Sequence, residues 1–220
     1  MIIRYLRFNV FTKLKQPFSD WARVRRMQQL LRTLNLREGM CVLDLGGRYE
    51  IWSHPFIPAL NITILNLPGA IEKSTESQHN FRYVEGDGCN VEGVGDQTFD
   101  IVFSNSVIEH VGGPARREAF ANEVRRVGKS YWVQTPSIWF PIEAHNGMPF
   151  WWFYPAFLRN WLIERWRRKL PAWTEMVEGT TVIKRSELER LFPEATVLVE
   201  RVLGIPKSYS AVCAPKTHSG

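Results

Sequence analysis

The sequence predicts an α/β fold whose doubly wound, mostly parallel sheet is closed by an antiparallel hairpin. Five short apolar strands are separated by helices or loops, which is typical of a parallel sheet. Glycine or polar residues follow the first four strands, where ligands bind in such sheets. Two late strands, at 196–202 and 208–213, are joined through Gly204 and Pro206 and are close enough in sequence for a hairpin.

The remaining elements follow from apolar spacing and from residues that begin or end helices. The five strands are predicted at 40–45, 61–67, 81–85, 99–104 and 130–135. A first helix begins near 17–20 and ends by Gly39, and a second spans 114–127. One helix is expected at roughly 151–169. Another is expected at 186–192, where Ser186 and Glu189 form a capping-box pattern.

Length and composition indicate one globular domain over residues 1–220. The chain is 45% apolar and 23% charged, which suits a packed core rather than disorder. We divide it into a basic N-terminal segment with its helix, a core, an aromatic and basic insertion, and a C-terminal helix with the hairpin. These four parts cover residues 1–37, 38–136, 137–180 and 181–220.

Positive charge is concentrated in two segments of this chain, whose net charge is +6. Residues 1–37 carry nine cations against one acid, and residues 150–170 carry five against one. Basic surfaces attract nucleic acid, anionic lipid or acidic substrates, although a solvated face without a partner accounts for them as well. No signal peptide or transmembrane run is visible, so we expect a cytoplasmic location. The three cysteines lack metal-site spacing, and no metal is expected.

The first strand ends in an unusual carboxylate followed by two glycines. Asp44 lies within an apolar run, and a buried carboxylate requires partners, such as a ligand ammonium or loop amides. Gly46 and Gly47 would let the backbone approach a ligand closely. The full G-x-G-x-x-G pattern is absent, which disfavours a nicotinamide-dependent oxidoreductase.

The next two strand ends carry groups that could bind a nucleoside. Asn66 follows Asp44 by 22 residues, near the spacing at which nucleotide-binding sheets place a ribose-binding acid. Asp87, between Gly86 and Gly88, could accept from an adenine amine. Each residue is also compatible with an ordinary turn.

Polar and titratable side chains follow the fourth strand. Asn105 and Ser106 would face the cleft, and Glu109 and His110 come shortly afterwards. A histidine can act as a general base near neutral pH, although a lone histidine in such a loop is more often structural.

In this order and spacing, the four strand ends resemble those of class I, Rossmann-like S-adenosylmethionine-dependent methyltransferases of the small-molecule type. The resemblance covers about residues 38–136 and the terminal hairpin. It implies a seven-stranded sheet with its last strand antiparallel, and S-adenosylmethionine as cofactor with S-adenosylhomocysteine as product.

The same resemblance implies a role for each residue at the strand ends. Asp44, Gly46 and Gly47 would hold the methionyl end, Asn66 with Leu67 the ribose, Asp87 and Gly88 the adenine, and Asn105 and Ser106 the region beside the methionyl group. Two departures stand out: Arg48 or Tyr49 replaces a further glycine, and Asn66 replaces the usual acid. They keep open a binding or scaffold protein that has lost methyl transfer.

The segment after the fifth strand is where the resemblance implies that the acceptor binds. Glu143, His145 and Asn146 are polar residues in an aromatic loop, and we expect them on the acceptor side. We favour His145 over His110 as the catalytic base, although a carboxylate or neutral amine acceptor would need none. His145 and Asn146 could instead cap the following helix.

Residues 151–169 interleave aromatic and basic side chains. This pattern suits a membrane interface or a lipid-carried substrate, and less well single-stranded nucleic acid, for which no binding motif is visible. The simplest alternative is a helix that packs its aromatic side chains on the sheet. We therefore expect a small-molecule acceptor, which a glycan or lipid could carry, and peripheral membrane contact through residues 1–37 and 151–169.

Overall fold

The computed structural model describes residues 23–71, 73, 77–143 and 146–215, and it contains a seven-stranded sheet. The strands are β1 (Cys41–Leu45), β2 (Asn61–Asn66), β3 (Asn80–Glu85), β4 (Phe99–Asn105), β5 (Gly128–Pro136), β6 (Thr196–Val202) and β7 (Ile205–Cys213). Their order in the sheet is β3-β2-β1-β4-β5-β7-β6. The first five strands are parallel to one another, and β7 is antiparallel to both β5 and β6, which confirms the predicted fold class.

Helices cover both faces of this sheet. They are α1 (helical over residues 23–34), α2 (Pro114–Val127), α3 (Ala156–Arg167), α4 (Pro171–Gly179) and α5 (Arg185–Leu191), with short 3-10 turns at Tyr49–Ile51 and Trp151–Phe153. The predicted start of the first helix, at 17–20, lies outside the described residues. None of the helices in the described part of the chain is long and apolar enough to span a membrane.

Two apolar layers hold the helices to the sheet, because successive side chains of a strand point to opposite faces. Val42 packs into the layer that includes Met27 and Leu30 of α1. The next residue, Leu43, packs into the layer that includes Phe120 of α2 and Leu188 of α5. The doubly wound arrangement predicted from the sequence is therefore confirmed.

The strand order reverses at the centre of the sheet. From β1 the chain moves outward to β2 and β3, and it then returns to place β4 on the other side of β1. A crevice opens at such a reversal, beyond the carboxyl ends of the strands. The polar residues that follow β1, β2, β3 and β4 therefore meet in one region.

Two of the helix predictions are wrong in detail. Residues 151–169 form a 3-10 turn and α3 rather than one helix, and α4 follows as an additional helix. Pro155 is the N-cap of α3, and Pro171 begins α4 at a position that suits proline. The capping box is absent, because α5 begins at Arg185, so that Ser186 lies inside the helix.

The terminal hairpin is tighter than the sequence predicted. Its turn consists of Leu203 and Gly204, which have φ values of 49° and 80°. Two successive positive φ values match the twist of a two-residue hairpin. Because the turn is this short, β7 begins at Ile205 rather than at Ser208. The pairing register of β6 and β7 shifts between Glu200 and Arg201, which is typical of a β-bulge.

The position of α5 depends on an ion pair with α2. Arg117 is buried, and its Nη1 donates to Glu187 Oε1 at 2.6 Å. We expect Glu187→Gln to lower the free energy of unfolding by about 2 kcal/mol, because it leaves a poorly solvated guanidinium without its counter-charge. Glu189→Gln breaks an exposed pair with Arg185 and should cost less than about 0.5 kcal/mol. Urea unfolding measures both, and equal losses would contradict this role of the buried pair.

Candidate active site

A cavity of about 290 Å³ lies at the carboxyl ends of β1, β2, β3 and β4. Seven of the residues predicted from the sequence line it: Gly46, Asn66, Leu67, Asp87, Gly88, Ser106 and His110. Asp44, Gly47 and Asn105 are not part of its wall. The ends of the four strands thus converge on one cavity, as predicted, and these three residues lie outside its lining.

Asp44 lies beneath the turn that follows β1. Its side chain is fully buried, and Trp52 Nε1 donates to its Oδ2 at 2.7 Å. Its Oδ1 has no hydrogen-bond partner among the described residues. A Cβ atom on Gly47 would lie 1.8 Å from Asp44 Oδ2, so only glycine fits there. The turn is therefore pressed onto the carboxylate.

Burial raises the pKa of Asp44 to about 7, although the hydrogen bond from Trp52 acts in the opposite direction. A carboxyl group with this pKa is poised between its neutral and ionised forms near pH 7. A ligand ammonium near the turn would favour the ionised form. The unpartnered Oδ1 and the raised pKa of Asp44 therefore fit the methionyl end of S-adenosylmethionine.

The two departures from the family pattern have structural explanations. Arg48 has an extended backbone, with φ of −134°, so no glycine is required there. Asn66 Nδ2 donates to the carbonyl of Gly47 at 3.4 Å, and its Oδ1 accepts from the amide of Leu67. An ionised aspartate could not donate to Gly47. Asn66 therefore ties the end of β2 to the turn while it also lines the cavity.

Asp87 is held by a partner that the sequence analysis missed. Arg116 Nη1 and Nη2 donate to the two carboxylate oxygens at 2.8 and 3.0 Å, and the amide of Cys89 donates to Oδ1. Hydrogen bonding by Arg116 lowers the pKa of Asp87, so the group is ionised at neutral pH. A carboxylate offers about four acceptor positions, which leaves one for an adenine amine.

A second cavity, of about 450 Å³, lies beyond the ends of β4 and β5. Its polar wall contains three cations (Arg23, Arg26, Lys207), two acids (Glu109, Glu143) and three threonines (Thr135, Thr180, Thr181). Phe140 and Trp152 contribute aromatic surface. The predicted acceptor-side residue Glu143 is therefore in place, together with cations from α1 and β7 that the sequence analysis did not assign to a site.

The segment after β4 forms the wall between the two cavities. Ser106 lines both, whereas Asn105 and Glu109 face the larger one and His110 faces the smaller one. Ser106 has a positive φ of 58° and donates through its amide and its hydroxyl group to Gln134 at 3.0 Å each. These bonds to β5 fix the backbone where the cavities meet.

Glu109 and His110 reach the larger cavity in different ways. The Glu109 side chain is 1% exposed and accepts from Thr135 Oγ1 at 3.1 Å. His110 Nδ1 lies 3.2 Å from the hydroxyl group of Thr180, which lines the larger cavity. The sequence placed these two residues side by side, but it did not indicate that they serve opposite sides of one wall.

The loop after β5 is closed by its own polar side chains. Glu143 Oε2 accepts from the amide of Asn146 at 2.6 Å, and Asn146 Oδ1 accepts from the amide of Met148 at 2.9 Å. Asn146 does not line the larger cavity and caps no helix; it shapes the turn that presents Glu143. His145, the preferred base in the sequence analysis, lies outside the described residues.

One wall of the larger cavity concentrates positive charge around Glu200. Arg26 Nη2 and Lys207 Nζ donate to the two oxygens of this carboxylate at 2.7 and 3.3 Å. Arg26 Nη1 also donates to Asn105 Oδ1 and so connects α1 to the end of β4. Burial, together with repulsion by Arg26 and Arg23, lowers the pKa of Lys207. An anion bound here would relieve that repulsion.

Comparison with known proteins connects this arrangement to methyl transfer. Residues 59–131 match the family model described as a methyltransferase domain. The matched segment contains β2, β3, β4 and α2, and thus most of the wall of the smaller cavity. No curated protein sequence matches the chain.

Three solved structures are examples of proteins with a similar fold. The PH0226 protein of Pyrococcus horikoshii is 18% identical with a TM-score of 0.52, and the match covers 95% of this chain and 91% of that one. A candidate S-adenosylmethionine-dependent methyltransferase of Methanococcus maripaludis is 13% identical with a TM-score of 0.50, over 96% and 94%. An N-methyltransferase of Haemonchus contortus, in complex with phosphomonomethylethanolamine and S-adenosylhomocysteine, is 13% identical with a TM-score of 0.51, over 80% and 38%.

The buried carboxyl group of Asp44 should make stability depend on pH. Its folded-state pKa of about 7 exceeds the unfolded value of 3.8, so ionisation increasingly penalises the folded state as pH rises between about 4 and 7. Asp44→Asn removes this penalty and retains an acceptor for Trp52. We expect the variant to gain about 2–3 kcal/mol more stability at pH 8 than at pH 5. Urea unfolding at both pH values tests this, and an equal change at both would contradict it.

Proposed function

We propose that this chain is a class I S-adenosylmethionine-dependent methyltransferase and that it methylates a small molecule that carries an amine and an anionic group. The observation that carries the proposal is the wall at Ser106, where the cavity lined by the predicted cofactor-binding residues meets a second cavity. The second cavity, of about 450 Å³, has a volume in the range of small-molecule sites.

The smaller cavity offers a set of groups that suits each part of the cofactor. Asp44 would stabilise the methionyl ammonium through the turn above it, Asn66 would meet the ribose, and Asp87 would accept from the adenine amine. Gly46 and Gly88 allow the ligand to approach the backbone. When bound, S-adenosylmethionine supplies an electrophilic methyl group on a sulfonium centre, and orientation of a nucleophile beside it can supply roughly 7–11 kcal/mol of the barrier.

Two buried carboxyl groups favour an amine as the acceptor. Glu109 and Glu143 line the larger cavity with little exposure to water, so a ligand ammonium would stabilise both. An amine must lose a proton before its lone pair can attack, and the Glu109 carboxylate, on the wall between the two cavities, is our candidate for the base that accepts this proton. His110 could reach the same space through the hydroxyl group of Thr180, and it remains our second candidate for the base.

Three cations favour an anionic group elsewhere on the same acceptor. Arg23, Arg26 and Lys207 line one wall of the larger cavity, and phosphate or carboxylate oxygens would bind there. The Haemonchus N-methyltransferase, which shares the fold alone, was solved with a ligand that combines an amine and a phosphate. A phosphate carried on a lipid or glycan would meet the same requirement as a free one.

Matched acceptors and variants test this proposal. Transfer of a labelled methyl group from S-adenosylmethionine should be faster to phosphomonomethylethanolamine than to monomethylethanolamine, which lacks the anion. Lys207→Met should raise KM for the phosphorylated acceptor with little change in kcat. Glu109→Gln should lower kcat by about 10²–10⁴-fold and leave S-adenosylhomocysteine binding intact.

Glu92 is exposed, and Glu92→Gln serves as a control. It should leave KM, kcat and S-adenosylhomocysteine binding unchanged. Equal rates with both acceptors would contradict the role of the anion. Binding of S-adenosylhomocysteine without transfer to any amine, alcohol or carboxylate would instead favour a binding protein that keeps the fold and lacks turnover.

A further inference from the structure

The insertion after β5 exposes an unusual amount of aromatic surface. Six large apolar side chains between residues 139 and 170 are more than half exposed: Trp139, Phe150, Phe153, Phe157, Trp161 and Leu170. None of the residues of α3 is buried, and Phe157 is 75% exposed. The alternative that this helix packs its aromatic side chains on the sheet therefore does not account for its outer face.

The two faces of α3 differ in what they contact. The inner face includes Trp166, whose ring lies 5.4 Å from that of Trp151 and 5.1 Å from that of Trp173 of α4. The outer face carries Phe157 and Trp161, four residues apart and therefore on one side of the helix. The inner contacts explain how the helix is held, and they leave the outer aromatic side chains without a packing role.

Cations accompany these aromatic side chains. Arg165 of α3 and its C-cap residue Arg168 continue the spacing of Phe157 and Trp161 along the same side, and we include both in the outer face. The Arg165 guanidinium lies 5.4 Å from the centre of the Trp161 ring. Residues 156–170 carry five cations against one acid. Helices that bind membrane surfaces combine exposed Trp, Phe or Leu side chains with Lys or Arg, and this segment carries both.

Two other exposed aromatic side chains of the insertion lie beside residues of the larger cavity. The rings of Trp139 and Phe153 are 5.8 Å apart, and each has a sequence neighbour that lines this cavity, Phe140 and Trp152. The insertion therefore contributes both to the exposed aromatic surface and to the wall of the larger cavity.

We propose that the outer face of α3, with Phe157, Trp161, Arg165 and Arg168, docks onto an anionic lipid surface. The aromatic rings would enter the headgroup region, and the guanidinium groups would bind lipid phosphates. This inference goes beyond methyl transfer and does not require it. Peripheral contact of this kind would give the larger cavity access to an acceptor that is carried in the membrane.

Charge distinguishes this occupant from a second copy of the chain. The cores of protein interfaces are depleted of charge, whereas here two exposed arginines directly follow the aromatic side chains on the same face. Both copies would present the same basic face and repel each other. An anionic bilayer complements both the charge and the aromatic side chains.

Vesicle sedimentation of the full chain tests the proposal. We expect binding to vesicles of phosphatidylcholine mixed with phosphatidylglycerol, and much weaker binding to phosphatidylcholine alone. Phe157→Ser combined with Trp161→Ser should abolish sedimentation. Arg165→Gln combined with Arg168→Gln should weaken it about thirtyfold, since each cation near an anionic surface contributes to binding.

Two exposed positions on other elements supply matched controls. Leu203→Ser, in the hairpin turn, and Arg82→Gln, on β3, should sediment like the parent protein. Absence of binding to anionic vesicles, or equal losses in the control variants, would overturn the proposal. It would also be overturned if light scattering found a dimer that the Phe157 and Trp161 substitutions convert to a monomer, because a second copy would then occupy the face. S-adenosylhomocysteine binding, measured in parallel, separates this outcome from a failure of the methyltransferase site.

Discussion

The close packing of the β1 turn on the Asp44 carboxylate is the constraint on which the site depends. Asp44 lies on a strand between β2 and β4, at the reversal of strand order. Burial there raises its pKa, and Gly47 covers it so closely that no side chain fits. Trp52 supplies one hydrogen bond and also packs edge-on against Phe103 of β4. The position of the carboxylate therefore depends on the turn above it and on the apolar layer that holds Trp52.

The segment that follows β4 lies between the smaller cavity and the larger one. Ser106 adopts a left-handed conformation that its bonds to Gln134 support. Of the residues that follow, Glu109 lines the larger cavity, whereas Val107 and His110 line the smaller one. Direct transfer of a group requires donor and acceptor to lie next to each other, and the two cavities meet at Ser106. Arg26, which bonds both Asn105 and Glu200, extends the same framework from α1 to the hairpin.

The sequence predicted those parts of the structure that depend on local patterns. Strand ends with glycine and polar residues, such as Gly46 and Asp87, lie together because parallel strands share one edge. Contacts between distant segments left no local signal: Arg116 pairs with Asp87 across 29 residues, and Arg26 with Glu200 across 174. The sequence left two interpretations of the aromatic insertion open, because Trp166 packs inward whereas Trp161, on the same helix, is exposed. Periodicity alone does not distinguish a buried aromatic face from an exposed one.

Calorimetric titration with S-adenosylhomocysteine tests the central claim most directly. The parent protein should bind with micromolar affinity. Gly47→Ala should abolish binding because its Cβ would collide with Asp44, whereas Gly179→Ala, which meets no atom within 4 Å, should bind normally. Asp44→Ala keeps the glycine and removes the carboxylate, and it should also lose binding if the ammonium is held there. Absence of binding to the parent protein, or undiminished binding to folded Gly47→Ala, would contradict the cofactor site described above.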